Sequence, residues 1–232
     1  SFDAVCPAMC SNRRAYFLGG EMKIYIAIPC LEEMPVDFVK SLVGLEKVGQ
    51  TSINFSVGSL VYASRDYLAQ CAIAEKADYI LWLDSDMTFQ TDLLIDLIAD
   101  VEGRDFVTAV CFRRKPPFSP VIYKKIRIGL DGESETEEFD EYQQDEMFEI
   151  DACGMAAAIM STEMAAAIIA ENKQLFAPIP GYGEDISFCI RAKKAGYKLW
   201  ADPALNVGHI TKTIADRSAW KAWKEKENGG IS

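Results

Sequence analysis

Residues 79–86 read Tyr-Ile-Leu-Trp-Leu-Asp-Ser-Asp, an apolar run that ends in two aspartates. Five consecutive apolar residues before a polar turn indicate a strand that is buried on both faces of a sheet. Asp84 and Asp86 are two positions apart, so in extended backbone their side chains share a face. Neighbouring carboxylates repel each other unless a cation lies near them. The stretch therefore predicts a site for a hard divalent ion and its phosphate ligands; a turn with capping aspartates is the alternative.

The segments around this run alternate between strand and helix patterns. Short β-branched or alternating apolar runs predict strands, and apolar residues at helical spacing predict helices. The predicted strands are 23–29, 51–57, 79–83 and 105–111, and the predicted helices are 36–48, 59–76 and 91–101. This alternation is typical of an α/β domain with a mostly parallel central sheet and helices on both faces.

The second half of the chain is less regular. Three prolines interrupt it at 116, 117 and 120, residues 121–128 predict an edge strand, and 147–160 contain a further strand. Helices are predicted at 162–170 and 184–195, the latter ending before Gly196. We expect a single domain whose second half extends the carboxyl-terminal edge of the sheet, where ligand sites of α/β proteins form.

The charge of the chain is concentrated in one segment. The net charge is −11, and ten of the 35 acidic residues lie within residues 131–149, which contain no Lys or Arg. Outside that segment acids and bases nearly balance, so the basic footprint of a nucleic-acid-binding protein is missing. The acidic segment itself is expected to be a solvated loop; a lid, or recognition of a basic acceptor, is the alternative.

Cysteine usage and hydropathy bear on the compartment. The seven cysteines are odd in number, form no C-x-x-C pair and lie mostly in apolar runs, which favours a reducing, cytoplasmic compartment. No uninterrupted apolar stretch reaches the ~18 residues of a membrane-spanning helix. Residues 1–21 have no signal-peptide core, and we expect a natural start near Met22, preceded by a leader, an added segment or an ordered arm.

Three further features have both a structural and a chemical interpretation. Gly181-Tyr182-Gly183-Glu184-Asp185 places two acids in a first helical turn, where the helix dipole stabilises them, or where one of them acts as a general base. His209 is the single histidine, and a lone histidine is more often structural than a ligand. Arg65, on the second predicted helix, either reaches a phosphate or base or is solvated.

In this order, these pieces resemble inverting glycosyltransferases of the GT-A fold, a Rossmann-like architecture, and specifically the family 2-like group. The resemblance runs from about Lys23 to His209. It depends on the ordered set rather than on any single motif. The set comprises Ile28-Pro29-Cys30 with Glu32, Asp84-Ser85-Asp86, the strand near Gly154, Gly183-Glu184-Asp185 with Ile186 and Arg191, and His209.

The resemblance implies a role for each matching residue. Pro29 and Glu32 would lie in the first loop, near the nucleotide base, with Arg65 and Ser85 also at the nucleotide. Asp84 would contact the ribose or the metal, whereas Asp86 and His209 would be metal ligands. Asp185 would be the base that deprotonates the acceptor hydroxyl, and Glu184 would orient it or the acceptor. The implied cofactors are Mn²⁺ or Mg²⁺ with a UDP- or GDP-linked sugar donor, and the implied acceptor is a glycan, lipid or protein.

The same resemblance implies the domain organisation. Residues 22–212 would be the glycosyltransferase domain, with a nucleotide-binding half at 22–112 and an acceptor half at 113–212, and 213–232 would be a tail. Two departures from the pattern matter: Cys30-Leu31 replaces a polar or aromatic pair in the first loop, and the aromatic acceptor motif of polymerising relatives is not recognisable. We therefore expect transfer of a single sugar rather than processive synthesis.

Three other functions remain as alternatives. Asp84-Ser85-Asp86-Met87-Thr88 also fits haloacid-dehalogenase phosphatases, with Asp84 as nucleophile and Asp86 as acid/base, although that fold normally places this strand first. A nucleotidyltransferase shares the sheet and the metal, but its Gly-rich basic loop is absent from residues 29–35. A non-catalytic module that binds nucleotide-sugars is the third alternative.

Overall fold

The computed structural model describes residues 22–128, 134–139, 141–211 and 214–228. The expected leader 1–21 lies outside these residues. The helices are α1 (Val36–Gly44), α2 (Val61–Ala74), α3 (Leu93–Val101), α4 (Thr162–Asn172), α5 (Glu184–Lys194) and α6 (Arg217–Asn228). The strands are β1 (Lys23–Cys30), β2 (Gln50–Val57), β3 (Tyr79–Leu83), β4 (Met87–Phe89), β5 (Phe106–Ala109), β6 (Ile122–Ile128), β7 (Ser134–Glu138), β8 (Phe148–Ile150), β9 (Ala152–Cys153), β10 (Ala157–Ser161), β11 (Leu199–Asp202) and β12 (Val207–His209).

The strand that precedes Asp84 lies inside a seven-stranded sheet of order β2-β1-β3-β10-β5-β11-β8. Strands β2, β1, β3, β5 and β11 run in one direction, whereas β10 and β8 run against their neighbours. The crossover through α3 leaves a gap between β3 and β5, and β10 enters that gap from the second half of the chain. The predicted α/β class with a mostly parallel sheet is confirmed.

The two faces of β3 belong to different cores, as its continuous apolar sequence requires. Ile80 and Trp82 pack with residues of α2, α4 and α5, whereas Leu81 and Leu83 pack with residues of α1 and α3. The helices therefore cover both faces of the sheet, and β3 delivers Asp84 to its carboxyl-terminal edge from a fully buried position.

The second half differs from the sequence prediction at the acidic segment. Strand β6, expected at an edge, is the central strand of a small sheet of order β7-β6-β9. Its partner β7 belongs to the segment expected to be a solvated loop, and Lys124 Nζ lies 3.1 Å from Glu137 Oε1 across the pair. Residues 134–138 therefore form a strand rather than the expected loop, because their backbone pairs with β6, although Glu137 remains exposed to solvent.

The residues expected to form a tail contain helix α6. Asp216 Oδ1 accepts hydrogen bonds from the Ala219 backbone N–H and the Ser218 hydroxyl, which caps the amino end of this helix. Trp220, only 6% exposed, packs against Phe112 and Tyr142, with ring centroids 5.9 and 6.1 Å away. In the described part of the chain, no helix has both the length and the apolar character needed to cross a bilayer.

Candidate active site

The backbone after β3 turns sharply and brings Asp86 next to His209. The Asp84 N–H donates to the Ala156 carbonyl, and the Met87 N–H donates to the Asp84 carbonyl at 3.3 Å. Strand β4 then pairs antiparallel with β12, with Met87 opposite His209, and the Ile210 N–H donates to the Asp86 carbonyl at 2.7 Å. This two-stranded ribbon fixes the predicted metal ligands Asp86 and His209 side by side.

The orientation of the His209 ring is set by a backbone carbonyl. Nδ1 lies 2.8 Å from the Phe112 carbonyl oxygen, which can only accept, so Nδ1 carries a proton. Nε2 is buried and faces Asp86 Oδ2 at 3.3 Å, without a hydrogen-bond partner of good geometry among the described residues. In the neutral ring Nε2 carries a lone pair and lies beside a carboxylate, while Nδ1–H donates to a carbonyl. Histidines that bind metal ions through Nε2 have this arrangement.

Charge explains the titration of this pair. Burial raises the pKa of Asp86, but the facing His209 and nearby Arg114 outweigh it, so the pKa is lowered overall. Burial lowers the pKa of His209, yet Asp86 and the Phe112 carbonyl raise it above its usual value. Both shifts reflect the attraction between the charged forms of the two side chains, and a metal ion bound at Nε2 would compete with a proton for that nitrogen.

Arg65 joins the two groups of predicted acidic residues. Its side chain is buried, and Nη2 lies 2.7 Å from Asp84 Oδ1 while Nη1 lies 3.2 Å from Glu184 Oε1 and also contacts Asp185 Oδ1. The guanidinium lies over the Phe176 ring, 5.6 Å from its centroid. The solvated alternative for Arg65 is therefore wrong. One buried cation offsets the repulsion among three carboxylates.

Asp185 occupies the first turn of α5, close to the strand that precedes β10. Burial raises its pKa to about 6, assisted by Asp84 and Glu184 and opposed by Arg65 and by a hydrogen bond from the Met155 backbone. A Cβ added at Gly154 would be tight against Val121 Cγ1, at 3.3 Å, and in ordinary contact with Asp185 Oδ2, at 3.8 Å, so Asp185 packs directly against the backbone between β9 and β10. A carboxylate with this pKa is ionised at neutral pH and is a competent proton acceptor.

The remaining predicted site residues occupy the same edge of the sheet. Pro29 was expected in the first loop but is buried within β1, opposite Ser56 of β2. Glu32 lies exposed in the loop that follows β1, and Ser85 is half-buried in the turn after β3. The expectation about Pro29 is corrected because β1 continues for three residues past its pairing with β3.

The three predicted metal ligands do not form one cluster. Over the ranges that the structure describes, no three His, Cys, Asp or Glu side chains are grouped so that they could hold a metal ion. Asp84 Oδ1 is bound by Arg65, whereas Asp86 and His209 supply one carboxylate oxygen and one unpartnered imidazole nitrogen. Two such donors bind Mg²⁺ or Mn²⁺ weakly when waters fill the other coordination positions, and more tightly when substrate phosphates supply further ligands.

Sequence reasoning missed one residue of this site. Arg114 lies in the segment that follows β5, and its Nη1 is 3.0 Å from Asp86 Oδ2. The available signal was the basic run Arg113-Arg114-Lys115, which follows a predicted parallel strand. Because the carboxyl ends of such strands meet at one edge, a basic run there lies near the acids that follow β3.

Comparisons with known proteins identify the fold. No protein-family model matches the chain, and no curated protein is significantly similar to it. Among solved structures, the A197 protein from STIV is 17% identical over 82% of this chain and 86% of that one, with a TM-score of 0.56. GalNAc-T7 with UDP, GalNAc and Mn²⁺ is 10% identical over 96% of this chain and 57% of that one, also with a TM-score of 0.56. The chain has the GT-A type of α/β fold.

Proposed function

We propose that the protein is a metal-dependent glycosyltransferase that moves a sugar from a nucleotide-diphosphate donor to an acceptor hydroxyl, with inversion at the anomeric carbon. One observation carries the proposal. On a GT-A fold, Asp84 after β3 and Asp185 at the start of α5 both contact the buried Arg65, and Asp86, two residues after Asp84, faces His209. Fold alone does not supply a function, so the proposal depends on these side chains.

The donor side of the proposed site contains the metal ligands. Asp86 and His209 would hold Mn²⁺ or Mg²⁺, and the unpartnered Nε2 of His209 supports this assignment. When bound, the ion supplies positive charge that stabilises the departing diphosphate. Asp84 and Ser85 would contact the ribose, and Glu32 the nucleotide base. That GalNAc-T7, with the same fold, is bound to UDP and Mn²⁺ supports the choice of ligand class.

The acceptor side contains the proposed base. Asp185 accepts the proton of the acceptor hydroxyl while its oxygen forms a bond to the anomeric carbon and the bond to the diphosphate oxygen breaks. The leaving diphosphate keeps that electron pair, and a single displacement inverts the configuration. Glu184 would orient Asp185 or the acceptor through Arg65, which contacts both carboxylates. The raised pKa of Asp185, about 6, supports a base that is ionised but still basic at neutral pH.

The test is calorimetry of UDP and of GDP binding with and without Mn²⁺. Asp86→Ala should lower the Mn²⁺-dependent nucleotide affinity by more than about 100-fold, because the loss of even an indirect partner of a ligand costs about 10–100-fold. Asp37→Ala is the matched control, since Asp37 is an exposed partner of Lys40 on α1. Nucleotide binding that Asp86→Ala leaves unchanged would contradict the proposal.

The alternatives predict different results with the same protein. A dehalogenase-like phosphatase needs Asp84 as a free nucleophile on the first strand. Here Asp84 is bound by Arg65, and two strand–helix units precede β3. Turnover of an aryl phosphate would support that alternative nonetheless. Pyrophosphate release from a nucleoside triphosphate and a sugar phosphate would identify a nucleotidyltransferase. A binding module would bind nucleotide-sugars without consuming them in the presence of any acceptor.

A further inference from the structure

We propose that Arg114 is an exchangeable counterion of Asp86. In the free protein it neutralises this carboxylate. When a divalent ion binds, Arg114 leaves and its guanidinium binds the donor's diphosphate. The inference depends on the proposed function, because it assumes that Asp86 binds a metal ion and that a nucleotide diphosphate follows.

The starting point of the Arg114 side chain is fixed by its neighbours. The Arg113 N–H donates to the Ser119 carbonyl at 3.0 Å, and Phe112 forms a bridge with Pro120. The Arg113 side chain binds the Ser119 hydroxyl, the Tyr123 hydroxyl and Glu138. These contacts hold the loop backbone in place on both sides of Arg114. The backbone of Arg114 therefore stays near Asp86, while its long, exposed side chain can change its partner.

The two arginines of the site differ in how easily they can leave their partners. The Arg65 side chain is 2% exposed and contacts three carboxylates, so its departure would leave buried charges without a partner. The Arg114 side chain is 59% exposed, and its ion pair with Asp86 is correspondingly weak. Arg65 is therefore a permanent counterion, whereas Arg114 can be exchanged.

Arg114 and a metal ion compete for the same oxygen. Arg114 Nη1 and His209 Nε2 lie 3.0 and 3.3 Å from Asp86 Oδ2. A divalent ion held by this oxygen and by Nε2 would repel the guanidinium at that distance. The released fork of N–H donors would then stand beside the phosphates that complete the metal's coordination, and guanidinium groups bind phosphate in a bidentate manner.

The exchange predicts effects of opposite sign in one variant. Arg114→Ala should bind Mn²⁺ alone about two- to fivefold more tightly, the fold-change that corresponds to a lost exposed ion pair. With Mn²⁺ saturating, the same variant should bind UDP about tenfold or more weakly, because it lacks a charged hydrogen-bond donor to the diphosphate. Lys115→Ala removes the same charge from the next, exposed position and should change neither affinity.

The experiment is titration calorimetry of MnCl₂ alone, and then of UDP at saturating Mn²⁺, for the wild type, Arg114→Ala, Arg114→Lys and Lys115→Ala. Arg114→Lys keeps the charge without the fork, so its Mn²⁺ affinity should match the wild type while its UDP affinity falls. An Arg114→Ala variant that weakens both affinities, or changes neither, would overturn the exchange alone. A wild-type protein that binds neither probe would overturn the exchange together with the proposed function.

Discussion

Arg65 and Asp185 are the residues whose chemistry depends most on one another. Arg65 is buried on helix α2, and its guanidinium contacts carboxylates that follow β3 and begin α5. A buried cation with three acidic partners is stable only as a set, because the removal of one member leaves uncompensated charge in a poorly solvated place. The titration of Asp185 therefore reports on Arg65, and two predictions follow at this scale.

Arg65→Met should lower the free energy of unfolding by about 3 kcal/mol at pH 7, since it leaves partly buried carboxylates without their cation. Burial already raises the pKa of Asp185 to about 6, and without Arg65 it would rise further in the folded state, so the penalty grows as the pH rises from the unfolded-state pKa towards that raised value. Urea unfolding at pH 5 and at pH 7 should show the smaller loss at pH 5. Lys40→Met, in an exposed ion pair, is the control, and an equal loss at both pH values would refute the reasoning.

Asp185→Asn should abolish sugar transfer while leaving Mn²⁺-dependent UDP binding within about twofold, because the amide keeps the shape of the side chain but cannot accept the proton. In the wild type, kcat/KM should rise with pH through about 6 and then level off, as Asp185 loses its proton. Assays of sugar transfer across the pH range measure the loss of activity and the pH dependence of kcat/KM, and calorimetry measures UDP binding. Transfer that persists in the variant would assign the base to another residue.

At the scale of the elements, the sequence predicts those that carry long apolar patterns. Strands β1, β2, β3 and β5 have such runs, and so do helices α1 to α5, which is why the class of fold follows from the sequence alone. Strands β4 and β12 have three residues each and pair across some 120 positions, so no local period indicates them. The prediction that His209 lies near Asp86 therefore depended on the resemblance to a family, and Arg114 was not predicted.

The close pairing of β4 and β12 makes Gly208 sensitive to substitution. A Cβ at this position would lie 2.7 Å from Thr88 Oγ1 and 2.6 Å from Ile214 Cγ2, so Gly208→Ala requires these side chains or β12 to shift. Both side chains are β-branched and have few alternative rotamers, so we expect part of the shift to fall on β12. We expect His209 to move away from Asp86 and the Mn²⁺ affinity to fall by about tenfold. Gly183→Ala is the control, because nothing lies within 4 Å of its added methyl group. Equal Mn²⁺ affinities for both variants would contradict this role of the ribbon.

At the scale of the whole molecule, the last helix packs against a residue that orients His209. Trp220 of α6 packs on Phe112, and the Phe112 carbonyl orients the His209 ring. The predicted tail missed this helix because its sequence is rich in Lys and Glu, and its two tryptophans, Trp220 and Trp223, are too few to form a long apolar pattern. What could not be predicted from the sequence are contacts between residues that are distant in the chain.

Trp220→Ala should lower the free energy of unfolding by about 3 kcal/mol, since it leaves a cavity next to Phe112 and Tyr142. The Mn²⁺ affinity should fall as well, because Phe112 loses the packing that holds its carbonyl against His209. Urea unfolding and calorimetry measure the two effects, with the exposed Lys221→Ala as the control. A destabilised variant with full Mn²⁺ affinity would show that α6 supports the fold but not the metal site.

The partners of Arg65 also bear on how the protein is made. Asp185 follows Arg65 by 120 residues, so a chain still emerging from the ribosome has the guanidinium and Asp84 but lacks the other two counterions. If a fragment that ends before α5 folded in the same way, it would bury Arg65 with Asp84 as its one acidic partner. Burial of an incompletely neutralised charge destabilises such a fragment and favours its unfolding. Completion of translation through residue 185 is therefore required before this group of charges can assemble.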